Sequence, residues 1–311
     1  MITTNRGQLV ATIARADDRS LVLGPRIAAQ HDRVDHALWT TWQPSAIPCF
    51  TIELLRELRA ASTEIERRFS SATISPLRYV IIRSAVANVF NLGGDLAYFA
   101  RLIEAQDEAG LAEYANLAVD VTFRNYTGHN LPNVTTIALL EGDALGGGLE
   151  SALSCDLVIA EKHVKAGFPE VLFNMFPGMG GLSFLARRTS RQIVNEVTRS
   201  GRLYSAQELY DFGIVDMVVE SGEAVTAARR LLRQRYQQHE AHTAMNVVDR
   251  LIRPVSRDEL DDVVRLWVDS ALRLTSRGLE WMRRLHKQQT LAFARKPTLP
   301  IAAAAPSSIA A

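Results

Sequence analysis

The order of apolar and polar positions predicts alternating strands and helices over residues 50–220. Apolar residues recur at helical spacing from Phe50 to Phe69, and a long helical pattern covers residues 97–127. The run LRYVIIRS between them is short, apolar and rich in branched residues, as is typical of a buried strand. LPNVTTIALLEGD and DLVIAEKH repeat that strand pattern on either side of a glycine-started helix, ALGGGLESALSC. This alternation predicts an α/β fold with a mostly parallel sheet.

The pattern weakens before this region and becomes all helical after it. The first residues are polar and weakly patterned, and the last ones, PTLPIAAAAPSSIAA, have a low-complexity composition typical of disorder. Two amphipathic helices are predicted at residues 258–275 and 278–294. The predicted organisation has four parts: an N-terminal extension at residues 1–30, a core at 31–220, a helical C-terminal region at 221–296 and a disordered tail at 297–311.

Composition and charge narrow the function classes. The 311 residues are 47% hydrophobic and 22% charged, with a formal net charge of +1, so neither nucleic acid nor an anionic membrane is indicated as a partner. No apolar run approaches the roughly 20 residues that span a bilayer. The cysteines, Cys49 and Cys155, lack metal-ligand spacing, and the N-terminus has no apolar signal segment. We therefore predict a cytoplasmic protein without a disulfide framework, a metal or a membrane span.

Three glycines precede a predicted helix in the segment Gly146-Gly147-Gly148-Leu149-Glu150. Glycines let the backbone pass close to a ligand and turn sharply into a helix. The unpaired N–H groups at that helix start can face a developing oxyanion, and Glu150 falls in the first helical turn. The alternative is an ordinary strand–helix turn with an acidic residue favoured by the helix dipole.

A second glycine turn, Gly93-Gly94-Asp95, also follows a predicted strand directly. It can supply another backbone donor, and two donors are what a thioester enolate or a tetrahedral oxyanion requires. Such a turn is common, so by itself it also fits a structural role. Neither glycine cluster matches GxGxxG or a Walker A loop, so nucleotide binding is not indicated.

A second carboxylate, Glu170, follows Phe168 and Pro169 and stands beyond Glu150 across a predicted strand. Two carboxylates on neighbouring elements can divide the work of an acid and a base. On its own, Glu170 fits a surface position better than a catalytic one.

Other polar residues make weaker candidates. Some histidines and serines lack the spacing of metal ligands or of a nucleophile elbow; these are His31, His163, Ser151 and Ser154. The basic run of Arg187, Arg188 and Arg191 is typical of a solvated face. It also fits contact with a phosphopantetheine group or with an acidic carrier protein.

Together these motifs resemble the crotonase (enoyl-CoA hydratase/isomerase) superfamily. The resemblance covers residues 75–220 and is carried, in the family's order, by VFNLGGDL, LPNVTTIALLEGDALGGGLESALSCDLVIA, AGFPEVLFNMFPGMGG and YSAQELYDFGIVDMVV. Within the superfamily, FNLGGDLAYFA, PEVLFNMFPGMG, SFLARR and LWVDSALRL are especially similar to diffusible-signal-factor synthases of bacterial quorum sensing.

The superfamily resemblance implies a ββα spiral core and a homotrimer or dimer of trimers. It assigns oxyanion-hole N–H groups to Gly94 and Gly147, and the two catalytic carboxylates to Glu150 and Glu170. The synthase group implies dehydration of a 3-hydroxyacyl thioester on acyl carrier protein (ACP) to a cis-2-enoyl thioester, whose hydrolysis releases a cis-2-unsaturated fatty-acid signal. No cofactor is implied beyond the phosphopantetheine thioester of ACP or CoA. ACP and the receiver domain of a sensor kinase are the implied protein partners.

Two alternatives stay open. An enoyl-CoA hydratase or isomerase would use the same fold and oxyanion hole, whereas a regulatory binding protein would use the fold without turnover. Many hydratases carry a lysine just after the first glycine turn, where this chain has Ala97 and Tyr98. This departure favours a carrier-protein substrate over a CoA ester.

Overall fold

The computed structural model describes residues 20–43, 47–71 and 76–294. In these ranges the chain forms strands β1 (Ser20–Gly24), β2 (Ile27–Asp32), β3 (Ala37–Trp42), β4 (Tyr79–Ser84), β5 (Asn88–Asn91), β6 (Thr135–Leu140), β7 (Gly142–Leu145), β8 (Leu157–Glu161), β9 (Lys165–Gly167), β10 (Leu203–Ser205) and β11 (Met217–Val219). The helices are α1 (Ile52–Phe69), α2 (Leu96–Glu104), α3 (Glu108–Tyr126), α4 (Gly147–Leu153), α5 (Gly181–Arg188), α6 (Arg191–Arg199), α7 (Ala206–Asp211), α8 (Ala224–Gln234), α9 (His239–Ile252), α10 (Arg257–Leu272) and α11 (Ser276–Ala294). Short 3₁₀ turns lie at Gly128–Asn130 and Glu170–Phe173.

The strands form two sheets. The larger sheet has seven strands in the order β1-β2-β3-β4-β6-β8-β11, and the smaller has four in the order β10-β9-β7-β5. Neighbours from β3 to β11 in the larger sheet run parallel, while β1, β2 and β3 form an antiparallel edge. The predicted α/β fold with a mostly parallel sheet is confirmed.

Consecutive strands alternate between the two sheets. β4 lies in the larger sheet and β5 in the smaller one, and the same holds for β6 and β7 and for β8 and β9. A helix follows each of the first two pairs, α2 after β5 and α4 after β7, and a 3₁₀ turn follows the third. This repeated step is the ββα spiral that the sequence resemblance implies.

The central strands are apolar on both faces because both faces are covered. All residues of β6 are buried. Ile137 and Leu139 pack toward α8, where Ala228 is fully buried. Ala138 and Leu140 belong to the main core on the other face. Strands buried on both sides carry continuous apolar runs in place of alternating ones, which explains the pattern that identified them.

The long helical pattern over residues 97–127 is divided into α2 and α3. Gln106, between the two helices, has a left-handed backbone with φ of 53°, and a right-handed helix cannot continue through that conformation. Asp107 then caps α3 by accepting the N–H of Gly110. The single helix predicted there is therefore wrong at this point.

The sheet begins earlier than the core predicted at residues 31–220. β1 pairs with β2, and β2 pairs with β3, so part of the extension predicted at residues 1–30 forms an edge of the larger sheet. β2 buries only alternate residues, and for that reason the segment looks polar in sequence. Residues 1–19 and the tail predicted at 297–311 lie outside the described residues.

The C-terminal region folds back over the spiral. α10 packs on α3, while α11 packs on α2 and on the turn at Glu170–Phe173. The last two helices therefore lie beside the elements that carry the candidate site.

No helix in the described ranges combines the length and the apolar character needed to cross a membrane.

Candidate active site

Topology brings three turns together at one edge of the smaller sheet. β5 pairs with β7 and β7 pairs with β9, both in parallel, so the carboxyl ends of these strands lie side by side. The turn containing Gly93 and Gly94 follows β5, the turn at Gly146 follows β7, and Glu170 follows β9. Residues that are distant along the chain are therefore adjacent here.

Close backbone contacts explain the glycines after β7. Gly146 has φ of 50°, and a β-carbon on it would stand 2.2 Å from Oε1 of Glu170. A β-carbon on Gly148 would stand 2.2 Å from the carbonyl oxygen of Asn91. The positive φ at Gly146 and the backbone contact at Gly148 favour glycine at both positions. α4 begins at Gly147, and an N–H group in the first turn of a helix has no acceptor within that helix.

The glycine turn after β5 lies against this one. Oδ1 of Asn91 accepts the N–H of Gly93 at 2.8 Å, which fixes the turn to the end of the strand. A β-carbon on Gly93 would stand 2.8 Å from the carbonyl oxygen of Leu145 and 3.2 Å from the nitrogen of Gly147. Gly94 and Gly147 line the same cavity. Two backbone N–H groups facing one cavity can act together on a single oxyanion.

Glu150 lies in the first turn of α4, with only 1% of its surface exposed. Its Oε2 accepts the N–H groups of Met179 and Gly181, both at 2.7 Å. Burial raises the pKa of this carboxyl, and the N–H groups of Gly181, Met179 and Gly178 oppose that rise. These bonds favour the ionised form of a group that its surroundings would otherwise keep protonated.

Glu170 begins the 3₁₀ turn after β9 and lines the same cavity. Its Oε2 is buried and has no hydrogen-bond partner among the residues that the structure describes. Burial raises the pKa of this carboxyl above its usual range, and the charge of Glu150 raises it further. Because two like charges are hard to ionise together in a buried site, the pair retains a proton more tightly than two isolated glutamates do.

The carboxylates and glycine turns border an apolar cavity of about 50 Å³. Its walls include Leu96 and Phe99 of α2, Ala115 and Ala118 of α3, and Trp267 of α10. A second pocket of about 320 Å³ adjoins it and is bordered by α11. Gly94 and Glu170 line both spaces, so the two spaces meet at the first glycine turn and the second carboxylate.

The four residues predicted for the site, Gly94, Gly147, Glu150 and Glu170, all border this one cavity. Their catalytic roles stay predictions. Tyr114 and two alanines of α3 form a further wall of the cavity that the sequence patterns did not indicate. The signal available in the sequence was the small residues on one face of that helix, and small residues on a helix face also occur where two helices pack closely.

The other candidates do not line the cavity. His31 is buried in β2, and Nδ1 of His163 lies 2.9 Å from Oγ of Ser221. Ser151 and Ser154 are buried in and just after α4. Across the described ranges, no group of three or more His, Cys, Asp and Glu side chains is placed to hold a metal ion.

Two of the three arginines in the basic run form ion pairs. Arg187 donates to both carboxylate oxygens of Glu259, at 2.8 and 2.7 Å. Arg188 lies 3.2 Å from a carboxylate oxygen of Asp216, while Arg191 is exposed at the start of α6. Arg187 thereby ties α5 to α10. The first two arginines thus have structural partners, which argues against a free surface for an anionic group.

Comparison with known proteins identifies a family. The sequence pattern of the enoyl-CoA hydratase/isomerase family matches residues 43–277. The chain is 34% identical over 182 residues to the Arabidopsis thaliana protein named probable enoyl-CoA hydratase 2, mitochondrial, with 58% of this chain and 56% of that one covered. It is 34% identical over 154 residues to the mitochondrial methylglutaconyl-CoA hydratase of Mus musculus, with 50% and 46% covered. The chain therefore spans about half the length of these curated relatives.

Several solved structures share the fold. Human mitochondrial delta3-delta2-enoyl-CoA isomerase superposes with a TM-score of 0.67 at 20% identity, covering 87% of this chain and 97% of that one. Enoyl-CoA hydratase of Bacillus halodurans gives 0.66 at 17%, covering 86% and 99%. Pseudomonas aeruginosa DspI gives 0.58 at 22%, covering 77% and 84%. Because the family pattern extends over most of its length, the chain belongs to the enoyl-CoA hydratase/isomerase family.

Proposed function

We propose that this chain adds water to, and removes it from, the C2–C3 bond of an acyl thioester. The observation that carries the proposal is the convergence of Glu150 and Glu170 with Gly94 and Gly147 on one apolar cavity. Acid, base and oxyanion donors are the groups that this reaction needs. The hydratase names of the relatives support the same reaction class.

The glycine turns stabilise the charge that forms on the thioester oxygen. When C2 gains or loses a proton, the thioester has enolate character, and negative charge collects on its carbonyl oxygen. The N–H groups of Gly94 and Gly147 donate to that oxygen. The apolar inner cavity takes the acyl chain, and the adjoining pocket under α11 takes the arm of the carrier.

The hydrogen bonds of the two carboxylates support different roles for them in hydration. Glu150 accepts two backbone N–H bonds, which favour its ionised form, whereas Oε2 of Glu170 has no partner in the described structure. The shared proton therefore rests on Glu170. Glu150 takes a proton from a water molecule as the water oxygen bonds to C3, and Glu170 gives its own proton to C2. In dehydration each group performs the reverse transfer.

Purified protein incubated with a trans-2-enoyl-CoA tests this function, with loss of the conjugated thioester followed by absorbance. Glu150→Gln and Glu170→Gln should each lower kcat by roughly 10²-fold to 10⁴-fold. Glu141→Gln is the control, since Glu141 pairs with Arg83 and does not line the cavity. Full activity in both cavity variants would contradict the assignment.

A second candidate is dehydration of 3-hydroxyacyl-ACP to cis-2-enoyl-ACP, followed by hydrolysis to a free cis-2-unsaturated acid that serves as a signal. It is favoured by the motifs similar to signal synthases and by Ala97 and Tyr98 in place of a lysine. The partly exposed Glu170, between the inner cavity and the outer pocket, could also activate water at the thioester carbon.

Product analysis separates the two candidates. 3-Hydroxyacyl-ACP and 3-hydroxyacyl-CoA are incubated with the protein in parallel, and the extracts are analysed by mass spectrometry. A free cis-2-enoic acid from the ACP substrate supports the second candidate. A trans-2-enoyl thioester without free acid supports the first candidate alone.

We also propose that the protein is a homo-oligomer, as a trimer or a dimer of trimers. α9 exposes several apolar side chains: Met245, Val248, Leu251 and Ile252 are 57%, 50%, 74% and 71% exposed. Exposed apolar surface of this kind is typical of protein contacts. Light scattering after size-exclusion chromatography measures the mass directly, and a monomer at micromolar concentration contradicts the proposal. A receiver domain as a further partner stays a prediction.

A further inference from the structure

A buried tyrosine on α3 holds the turn that carries one oxyanion donor. The hydroxyl of Tyr114 donates to the carbonyl oxygen of Phe50 and accepts the N–H of Asp95 at 3.3 Å. The N–H of Phe50 in turn donates to the carbonyl oxygen of Gly93 at 2.8 Å. Tyr114 is 2% exposed. Its hydroxyl therefore joins the segment before α1 to the glycine turn before α2.

These bonds fix the peptide planes on both sides of Gly94. The carbonyl of Gly93 and the N–H of Gly94 belong to one planar peptide and point in opposite directions. Because Phe50 holds that carbonyl on one side, the N–H of Gly94 is turned to the other. The next peptide is held by Tyr114 through Asp95. The tyrosine hydroxyl thus supports the turn in which the backbone of Phe50 orients the N–H of Gly94.

A buried threonine on the same helix holds the other half of the site. Oγ1 of Thr122 donates to the carbonyl oxygen of Met179 at 2.9 Å. The N–H of Met179 is one of the two that bind Oε2 of Glu150, and the N–H of Gly181 is the other. Thr122 is fully buried. It therefore fixes the loop that clamps the carboxylate.

The two hydroxyls flank the part of α3 that faces the cavity. Ala115 and Ala118, which lie between them in sequence, line the cavity wall. Their small side chains leave room for an acyl chain while the helix stays close to both halves of the site. One rigid helix thereby sets the distance between the oxyanion turn and the clamped carboxylate.

We propose that Tyr114 and Thr122 are positioning residues, the first for the N–H of Gly94 and the second for the carboxylate of Glu150. The inference rests on the proposed function, because it assigns each hydroxyl to one half of that reaction. It predicts that the two residues affect different observable properties. A purely structural role would make both variants change the same properties together.

Tyr114→Phe removes the hydroxyl and keeps the ring, which packs edge-on against Phe99 with the ring centroids 4.6 Å apart. Misdirection of one oxyanion donor should lower kcat by about 10-fold to 100-fold with little change in KM. Tyr126→Phe is the matched control: Tyr126 lies on the same helix outside the cavity lining, and its hydroxyl accepts the N–H of Val255.

Thr122→Val keeps the shape and removes the donor to Met179. A looser clamp stabilises the carboxylate of Glu150 less, so its pKa rises further and the acidic limb of the pH profile moves to higher pH. The titratable side chains that share the cavity with it are Glu170 and Tyr114. Thr122→Ser should restore the limb because it retains the hydroxyl.

The matched control for the threonine is Thr198→Val. Thr198 is buried on α6 and donates to the carbonyl oxygen of Val194, away from the cavity. It should leave both the pH profile and turnover unchanged. Thermal melting of all variants shows which of them are folded, and Thr122→Ser keeps the test informative if the valine variant does not fold.

The direct measurement is the infrared carbonyl stretch of a bound saturated acyl thioester labelled with ¹³C at C1. The carrier, CoA or ACP, is the one whose enoyl ester the wild-type protein turns over. Oxyanion donors polarise the carbonyl and lower its stretching frequency. We expect a smaller lowering in Tyr114→Phe with an unmoved pH limb, and an unchanged lowering in Thr122→Val with a displaced limb.

The inference is supported if Tyr114→Phe changes only the carbonyl stretch and Thr122→Val changes only the acidic limb of the pH profile. Equal changes in both properties for both variants overturn it, as does wild-type behaviour of both variants, and in these cases turnover by the wild-type protein leaves the proposed function intact. Absence of turnover and of any frequency change in the wild-type protein overturns the proposed function and this inference together.

Discussion

The carboxylate of Glu170 lies directly against Gly146: a β-carbon built on that glycine would stand 2.2 Å from Oε1. Gly146 also accepts the N–H of Glu150 through its carbonyl oxygen at 3.0 Å. One residue without a side chain therefore separates the two carboxylates. The backbone of Gly146 leads into the helix that carries Glu150, and the absence of a β-carbon on Gly146 leaves room for the carboxylate of Glu170.

Gly146→Ala should displace Glu170 while leaving both carboxylates in the chain. The added methyl group would clash with Oε1 of Glu170, so the proposed acid moves away from C2 of the substrate. A misplacement of about 1 Å can lower a rate roughly 100-fold, and we expect a loss of that order in kcat. Steady-state kinetics with an enoyl thioester measures it.

The control for Gly146→Ala is Gly222→Ala. Gly222 also has a positive φ, 85°, but nothing lies within 4 Å of a β-carbon built there. Both variants carry backbone strain of about 1–3 kcal/mol, which chemical denaturation reports, and only the first contacts the site. Equal loss of activity in the two variants would mean that strain, and not displacement of Glu170, is responsible.

The pH dependence of hydration should be bell-shaped. Burial raises the pKa of Glu150 to about 7 and that of Glu170 to about 8. In the proposed mechanism the reactive form has Glu150 ionised and Glu170 protonated. Below the lower value Glu150 gains a proton, and above the upper value Glu170 loses one, so kcat/KM falls on both sides. A rate that still increases as the pH falls below 5 would rule out this assignment.

The same burial predicts how stability depends on pH. A carboxyl whose pKa is raised by folding binds its proton more tightly in the folded state than in the unfolded state. The free energy of unfolding is therefore highest below the unfolded pKa and decreases as the pH rises through the folded value, about 8 for Glu170. Glutamine, a neutral isostere of glutamate, would remove this pH-dependent loss of stability at position 170.

The free energy of unfolding of Glu170→Gln should therefore decrease less between pH 5 and pH 9 than that of the wild-type protein. The expected difference is roughly 1–3 kcal/mol, measured by urea denaturation at several pH values. Glu113→Gln, which changes an exposed carboxylate, should show the wild-type dependence. The prediction fails if the two variants follow the same curve.

Local sequence was sufficient for the part of the site that is local. Gly147 and Glu150 lie in one helix start, so glycine spacing and helix geometry predict their relation. The buried strands were also predictable, because burial on both faces leaves continuous apolar runs. Glu170 was harder, since its place depends on the parallel pairing of β7 with β9, and only the resemblance to a family indicated it.

The positioning residues lay beyond sequence reasoning for a physical reason. Tyr114 bonds a partner 64 residues away, and Thr122 bonds one 57 residues away. Nothing in an apolar helix marks a hydroxyl as a contact to a distant backbone carbonyl. The break at Gln106 was equally hidden, because a single left-handed residue leaves the spacing of apolar positions on either side unchanged.

The wall formed by α3 should set the length of acyl chain that the protein accepts. Ala118 is 1% exposed and lines the inner cavity, so Ala118→Leu fills space that a longer chain would occupy. In an apolar pocket, a methylene that no longer fits changes kcat/KM by about 10-fold to 200-fold. We expect such a loss for long-chain thioesters and near wild-type values for short ones. Ala112→Leu, on the same helix but outside the cavity lining, is the control. A uniform loss at every chain length would show that α3 supports the fold without selecting the substrate.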